Sequence, residues 1–194
     1  MAYNIRLEEK NLMVAERMLS RISLILNYCE ISYWLEGGTL LGIRREARLL
    51  PWDDDIDVSM MVDQEDKLPL FYSELKKAGY RVKNRYFKRD DAPFERGSLR
   101  MIKIRERRFF GLIKGAVCLD VFIKYPKNMD CYWEIANKKK SVPEKFYKSL
   151  KNITFKGQDY SVPKMTDAYL TYRYGEWKTP IKDWDTANDD KALA

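Results

Sequence analysis

The chain has 194 residues, with 36 Lys or Arg against 29 Asp or Glu and no histidine. Without an imidazole there is no Ser-His-Asp triad, no histidine general base and no His-containing zinc site. Any catalysis must therefore use carboxylates, Lys, Tyr, Cys, backbone dipoles or a metal held by oxygen, and the net charge of +7 calls for an anionic partner without choosing nucleic acid, an anionic lipid surface or a phosphorylated small molecule.

At 45% hydrophobic and 13% aromatic residues the composition is that of a globular chain of one-domain size. Cys29, Cys118 and Cys131 are odd in number and widely spaced, which predicts buried small hydrophobes rather than disulfides or a thiolate metal site. The opening MAYNIRLEEK lacks the basic-then-apolar order of a secretory signal. Glu16, Arg17, Arg21 and Glu30 interrupt the best apolar run well short of the ~18–20 residues a bilayer span requires. The expectation is a soluble cytoplasmic protein, its charge leaving open a peripheral association with the inner face of the membrane.

In chain order, Leu12, Ala15, Leu19, Ile22, Leu26 and Cys29 recur at spacings of three and four and predict an amphipathic helix over 5–29. The β-branched and aromatic stretch at 31–36 predicts a short strand. Gly37-Gly38 ends it, and Thr39 is placed to cap a short helix over 40–45. A second strand is expected at 56–61, then a helix over 64–78 with Pro69 near its start and Gly79 at its end. Extended segments follow at 80–87, 99–106 and 117–124, with a charged loop at 89–97. Beyond 129 the pattern predicts helical pieces up to residue 150, a hairpin over 153–162 turning at Lys156-Gly157, and a helix over 166–174 stopped by Gly175. Residues 183–194 read as an acidic, frayed tail. The mixture predicts one α/β (α+β) domain over 1–182, a mixed sheet flanked by helices with a small C-terminal helical region.

The most informative segment is Pro51-Trp52-Asp53-Asp54-Asp55-Ile56-Asp57-Val58. In an extended strand, period-two alternation puts Asp53, Asp55 and Asp57 on one face and Asp54, Ile56 and Val58 on the other. Three carboxylates on one face repel unless a cation compensates, and a hard divalent ion such as Mg²⁺ is commonly held by one or two carboxylates together with substrate phosphates. A solvated acidic turn is the plainer alternative. An EF-hand is poorly supported, since its Gly and Glu are missing at the required positions. Upstream, Glu36-Gly37-Gly38-Thr39 runs from a strand through a glycine turn into a helix, where backbone N–H groups can approach an anion. Downstream, Asp120 sits alone in the apolar run 117–122, where a charge is costly unless paired or bound to metal.

Together, Gly37-Gly38-Thr39, Pro51-Trp52-Asp53-x-Asp55-x-Asp57 and Leu119-Asp120-Val121 resemble the LicD/fukutin family of phosphotransferases, within the nucleotidyltransferase-fold superfamily. Phe155-Lys156-Gly157, Val162-Pro163, Tyr169-Leu170 and Tyr174-Gly175-Glu176-Trp177 are similar to that family's closing segment, so the resemblance runs from about residue 30 to 180. It implies a nucleotidyltransferase-like fold and transfer of a phospho-substituent (phosphocholine or an alditol or sugar phosphate) from a CDP-type nucleotide donor. The acceptor it implies is a glycan or lipid-linked glycan hydroxyl in surface polysaccharide or lipopolysaccharide, and the cofactor is Mg²⁺ or Mn²⁺. Carried over residue by residue, it makes Asp55, Asp57 and Asp120 the metal ligands. Asp120 or Asp53 serves as base, and Gly37, Gly38 and Thr39 contact the donor phosphates. Lys103 and Arg105, which share a face of the 99–106 segment, are further candidates for phosphate contact. Two other readings stand beside this one. The first is a true nucleotidyltransferase releasing pyrophosphate. The second is a basic nucleic-acid or membrane-binding module built on residues 76–89, seven of whose fourteen residues are Lys or Arg. The acidic cluster within a basic chain makes nucleic acid the weaker partner.

Overall fold

A computed structural model describes residues 3–109, 112–181 and 184–194. Helix α1 (Glu9–Tyr28) buries Val14, Ala15, Met18, Leu19, Ile22 and Leu26 along one stripe. It starts four residues later than its periodicity predicts. Leu7 is buried, and its amide donates to the carbonyl of Asp53 at 2.9 Å, which draws the preceding residues across the acidic segment instead of into the helix.

The central sheet runs β1-β2-β6-β4-β3. Strand β1 (Tyr33–Leu35) pairs antiparallel with β2 (Ile56–Met61), and between them lies α2 (Gly37–Glu46). A 3-10 turn (Val62–Lys67) leads into α3 (Leu68–Lys77), so the predicted helix divides in two, with Pro69 in the first turn of α3 where its missing N–H costs nothing. Edge strand β3 (Tyr80–Tyr86) pairs antiparallel with β4 (Leu99–Arg108), which turns back into the two-residue β5 (Ile113–Lys114). Strand β6 (Leu119–Lys127) is parallel to β2 and antiparallel to β4, entering the middle of the sheet and burying Leu119 to Tyr125 without a break. This is a mixed α/β sheet, as expected.

Two expectations fail in the C-terminal third. Residues 129–143 are not helical, and the helical piece that follows is a single 3-10 turn at Glu144–Phe146. Residues 130–143 form the hairpin β7 (Asp130–Ile135) and β8 (Lys138–Pro143), with β7 continuing the sheet from the end of β6. Cys131 and Trp133 point inward while Tyr132 and Glu134 are partly exposed, a period-two pattern. Ala136 and Asn137 both take positive φ, the signature of a two-residue hairpin turn. The hairpin β9 (Leu150–Phe155) and β10 (Gln158–Pro163) turns at Lys156-Gly157, and α4 (Thr166–Tyr174) ends at Gly175, both as predicted.

Nor is the acidic tail frayed. Among the described residues 184–194, Asp190 and Ala192 are buried. The amide of Ser141 donates to the carbonyl of Ala192, and Lys140 bridges to Leu193 on the free edge of β8. Acidity was misleading there because Asp190 meets buried cations.

Candidate active site

Sheet register builds the centre of the site. Asp57 on β2 stands opposite Asp120 on β6, and Asp120 stands opposite Lys103 on β4. Directly paired residues share a face, so a row of acid, acid and cation crosses three adjacent strands. Lys103 Nζ is ion-paired with Asp120 Oδ2 at 2.5 Å. Tyr3 crosses above: its hydroxyl donates to Asp120 and accepts from Lys103, while its amide donates to the Asp54 carboxylate. Burial, then the Asp120 charge, pushes the Tyr3 phenol far up, so it stays protonated.

The face argument holds for Asp57 and fails for Asp54. Strand β2 begins only at Ile56, and residues 51–55 turn ahead of it. In that turn the carboxylates of Asp53, Asp54 and Asp55 converge, with one oxygen from each lying within 4.8 Å of the others. Asp55 also faces the row: after burial, its pKa is raised by Asp57 first and Asp120 second, then Asp53 and Asp54. Burial followed by Asp53 and Asp120 raises Asp57 well above the carboxylate range, and burial pushes Asp53 up to about 7. Asp57 Oδ1 is buried with no hydrogen-bond partner among the described residues. An all-oxygen set of mutually repelling carboxylates, one with an orphaned oxygen, fits a hard divalent cation. Asp53, Asp54 and Asp55 are the carboxylates that converge, Asp57 lies beside them against Gly37, and Asp120 is engaged by Lys103 and Tyr3.

The glycine turn packs directly on these acids. Gly37 takes φ +56, and a Cβ there would lie 2.2 Å from Asp57 Oδ2; a Cβ on Gly38 would lie 1.9 Å from Asp53 Oδ2. Both glycines and four of the acids, Asp53, Asp54, Asp55 and Asp57, line one cleft of about 920 Å³ that also takes in Lys103, Asp120 and Arg45. Thr39 is buried behind them. It does not cap α2, a role filled by the Glu36 side chain accepting from the Gly37 amide. Instead, its hydroxyl accepts the amide of Asp57 at 2.9 Å and fixes the start of β2. Arg105 also turns away from the cleft: its guanidinium donates to the carbonyls of Gly115 and Ala116 and lies over the Tyr3 ring. Neither Thr39 nor Arg105 is among the residues that line the cleft.

Behind the glycine turn lies a buried ionic network that the sequence reading did not assign. Glu36 receives Arg173 Nη1 at 2.7 Å, Lys124 Nζ at 3.1 Å, Ser59 Oγ at 3.0 Å and the Tyr169 hydroxyl. Arg173 also pairs with Asp190, which Lys140 approaches at 3.3 Å. Burial alone would raise the Glu36 carboxyl, but the Lys124 and Arg173 charges outweigh it and hold it at about 2. Lys124 moves the other way, down to about 8, because burial dominates and its one carboxylate is shared with Arg173. Its ammonium rests 3.2 Å from the Trp133 ring centre, which compensates part of the lost hydration.

A family model for the LicD/FKTN/FKRP nucleotidyltransferase domain matches residues 30–165, more than half of the chain. The chain belongs to this family. Human ribitol-5-phosphate transferase FKTN is 28% identical over 178 residues, covering 88% of this chain and 34% of that protein. The Haemophilus influenzae lipopolysaccharide cholinephosphotransferase LicD is 47% identical over 62 residues, 28% of this chain and 23% of the relative. The matched region thus spans about a third or less of these two relatives. A crystal structure of ANT(2")-Ia with adenylyl-2"-tobramycin aligns at 17% identity and a TM-score of 0.46, over 88% of this chain and 81% of that one. That likeness is slight, and the fold rests on the sheet itself.

In this LicD-family chain, sequence reasoning missed Tyr3, Asp54, Lys124, Arg173 and Asp190 as members of the site or its support. The clue that singled out Asp120, a charge inside an apolar strand, was equally present at Glu36 after Tyr33-Trp34-Leu35 and at Lys124 after Val121-Phe122-Ile123.

Proposed function

We propose that the chain transfers a phospho-substituent from a CDP-type nucleotide donor to a glycan hydroxyl, using Mg²⁺ or Mn²⁺ held by Asp55 and Asp57 with Asp53 or Asp54. The observation that carries this reading is the direct packing of Gly37 and Gly38 on Asp57 and Asp53, which brings phosphate-accepting backbone and cation-holding carboxylates to one point of one cleft. Membership of the LicD family supports the reaction class.

The divalent ion, when bound, supplies charge neutralisation on the phosphate oxygens, the main electrostatic requirement of phosphoryl transfer. The chain's own groups do the rest. The Gly38 amide meets the donor phosphates with the N-terminal end of α2 behind it, while the Gly37 amide is held by Glu36. Arg45 and Lys103 add positive charge at the cleft wall. Asp53 accepts the proton of the acceptor hydroxyl as its oxygen bonds to phosphorus and the phosphorus–oxygen bond to the nucleoside monophosphate breaks, which leaves Asp54 to complete the ion's ligands. Asp120, ion-paired to Lys103, keeps that lysine turned toward the acids.

The test is turnover of CDP-choline and CDP-alditols with Mg²⁺ or Mn²⁺, read by CMP release, in the wild type and in Asp55→Asn and Asp57→Asn. Each substitution is expected to lower the rate by about a hundredfold or more. Full activity in both variants overturns the mechanism, and pyrophosphate release in place of CMP converts the enzyme to a nucleotidyltransferase.

A further inference from the structure

The β4–β5 hairpin carries an apolar end that none of the described residues covers. Phe109 is 70% exposed, Leu112 86% and Ile113 50%. The Leu112 amide donates to the Phe109 carbonyl at 3.1 Å, which holds these two residues side by side, and Ile113 follows directly on β5. Large apolar groups clustered at an exposed strand end are disfavoured in soluble chains unless they meet a partner.

The flanks of this end are cationic. Arg107 on β4 stands directly opposite Lys114 on β5, followed by Arg108 opposite Ile113. Like charges in direct cross-strand register repel. Arg108 has Glu106 at 3.5 Å, whereas among the described residues neither Arg107 nor Lys114 has an ion-pair partner. Exposed aromatic and aliphatic groups at a tip, with unpaired cations one step behind, match the layering of a bilayer interface, where apolar groups sit below the headgroups and cations sit among anionic phosphates. Charge therefore selects an anionic lipid surface as the occupant.

We propose that this hairpin docks the protein on an anionic bilayer by inserting Phe109, Leu112 and Ile113 at the interface, with Arg107 and Lys114 on the headgroups. The consequence for the site follows from register. Lys103 of the catalytic row lies five residues before Arg108 on the same strand, so at ~3.3 Å per residue the row stands roughly 17 Å from the docked end. The strand holding the site is thereby anchored to the surface. The charged edge of residues 76–89 is secondary, since β3 exposes the single aromatic Tyr86 beside Arg81 and Lys83 and no aliphatic cluster to insert with it.

The test uses the whole chain and flotation with vesicles of equal parts phosphatidylcholine and phosphatidylglycerol, against pure phosphatidylcholine vesicles. It reads binding without turnover, so it stands apart from the proposed reaction. The wild type is expected to bind the anionic vesicles and not the neutral ones. Phe109→Ser/Leu112→Ser/Ile113→Ser and Arg107→Gln/Lys114→Gln should each weaken binding by about tenfold or more. Melting temperature should be unchanged, since these side chains are exposed. If the triple variant melts lower, Leu112→Trp replaces it, and its emission should shift to the blue on anionic vesicles only. Wild-type indifference to the anionic lipid, a triple variant that binds like wild type, or an unshifted Leu112→Trp emission overturns the proposal. A concentration-dependent dimer that the triple variant abolishes, without vesicle binding, overturns it in favour of a self-interface.

Discussion

Replacing Gly38 by alanine separates the stability of the glycine turn from its function. Gly38 lies in the first turn of α2, where alanine is favoured over glycine by about 1 kcal/mol. Against this, the new methyl would sit 1.9 Å from Asp53 Oδ2 and 3.0 Å from its Cγ, so the carboxyl has to swing out of the acidic cluster. The gain and the displacement nearly offset, and urea denaturation should give a stability within about 1 kcal/mol of wild type. Mn²⁺ affinity, measured by calorimetry, should fall by about tenfold or more, equivalent to ~1.4 kcal/mol. Gly37→Ala should lose both. Its φ of +56 costs an L-residue about 1–2 kcal/mol, and its methyl would lie 2.2 Å from Asp57 Oδ2. Gly157→Ala is the control, with φ +78 and nothing within 4 Å of the added carbon, so it should lose stability alone. Wild-type Mn²⁺ affinity in Gly38→Ala, or an equal loss in Gly157→Ala, would refute the claim that the turn works by touching the acids.

Arg173→Met should destabilise by about 3–5 kcal/mol in denaturant, because it strands Glu36 and Asp190 in the interior, and adding Glu36→Gln should recover part of that loss. Glu36 also sets an acid limit. With its folded pKa depressed to about 2, its contribution is complete above the unfolded value near 4.5 and is lost as pH falls toward 2. At 1.36 kcal/mol per unit this amounts to about 3 kcal/mol, visible as a drop in urea midpoint that Glu36→Gln flattens. Asp54→Asn should weaken Mn²⁺ severalfold, since its carboxylate converges with those of Asp53 and Asp55; an affinity equal to wild type would restore the alternating-face arrangement.

The parts of this molecule that were legible in its sequence are those where local chemistry and tertiary structure agree. The strand at Ile56–Met61, the turn at Lys156-Gly157 and the helix Thr166–Tyr174 each combine a period with a punctuating residue. The acids, the glycine pair and Asp120 were recognisable because charge in apolar context and paired glycines have few uses. Residues 129–150 misled because lysines and short apolar runs carry helix propensity, while Trp133 and Val142 are placed by burial against the rest of the sheet. Asp54 misled because alternation was extended into a turn. Tyr3, Arg173 and Asp190 were invisible for a different reason: their partners lie far away in sequence, and nothing local announces a buried cation or a phenol lying over an acid.

The network behind Gly37 also bears on the order in which the protein can be finished. Glu36 is translated early, whereas Arg173 and Asp190, which neutralise and brace it, emerge only after the sheet strands have been made. Until then Glu36 has Lys124 of the sheet but not Arg173 as counter-charge, and the turn it caps is only partly braced. Contacts of such long sequence separation form late and slowly. A nascent chain can therefore assemble its sheet while the glycine turn is still unbraced, and the acidic cleft takes its final shape with the docking of residues 184–194. Chains interrupted before that point would hold the sheet but leave Glu36 without its Arg173 brace.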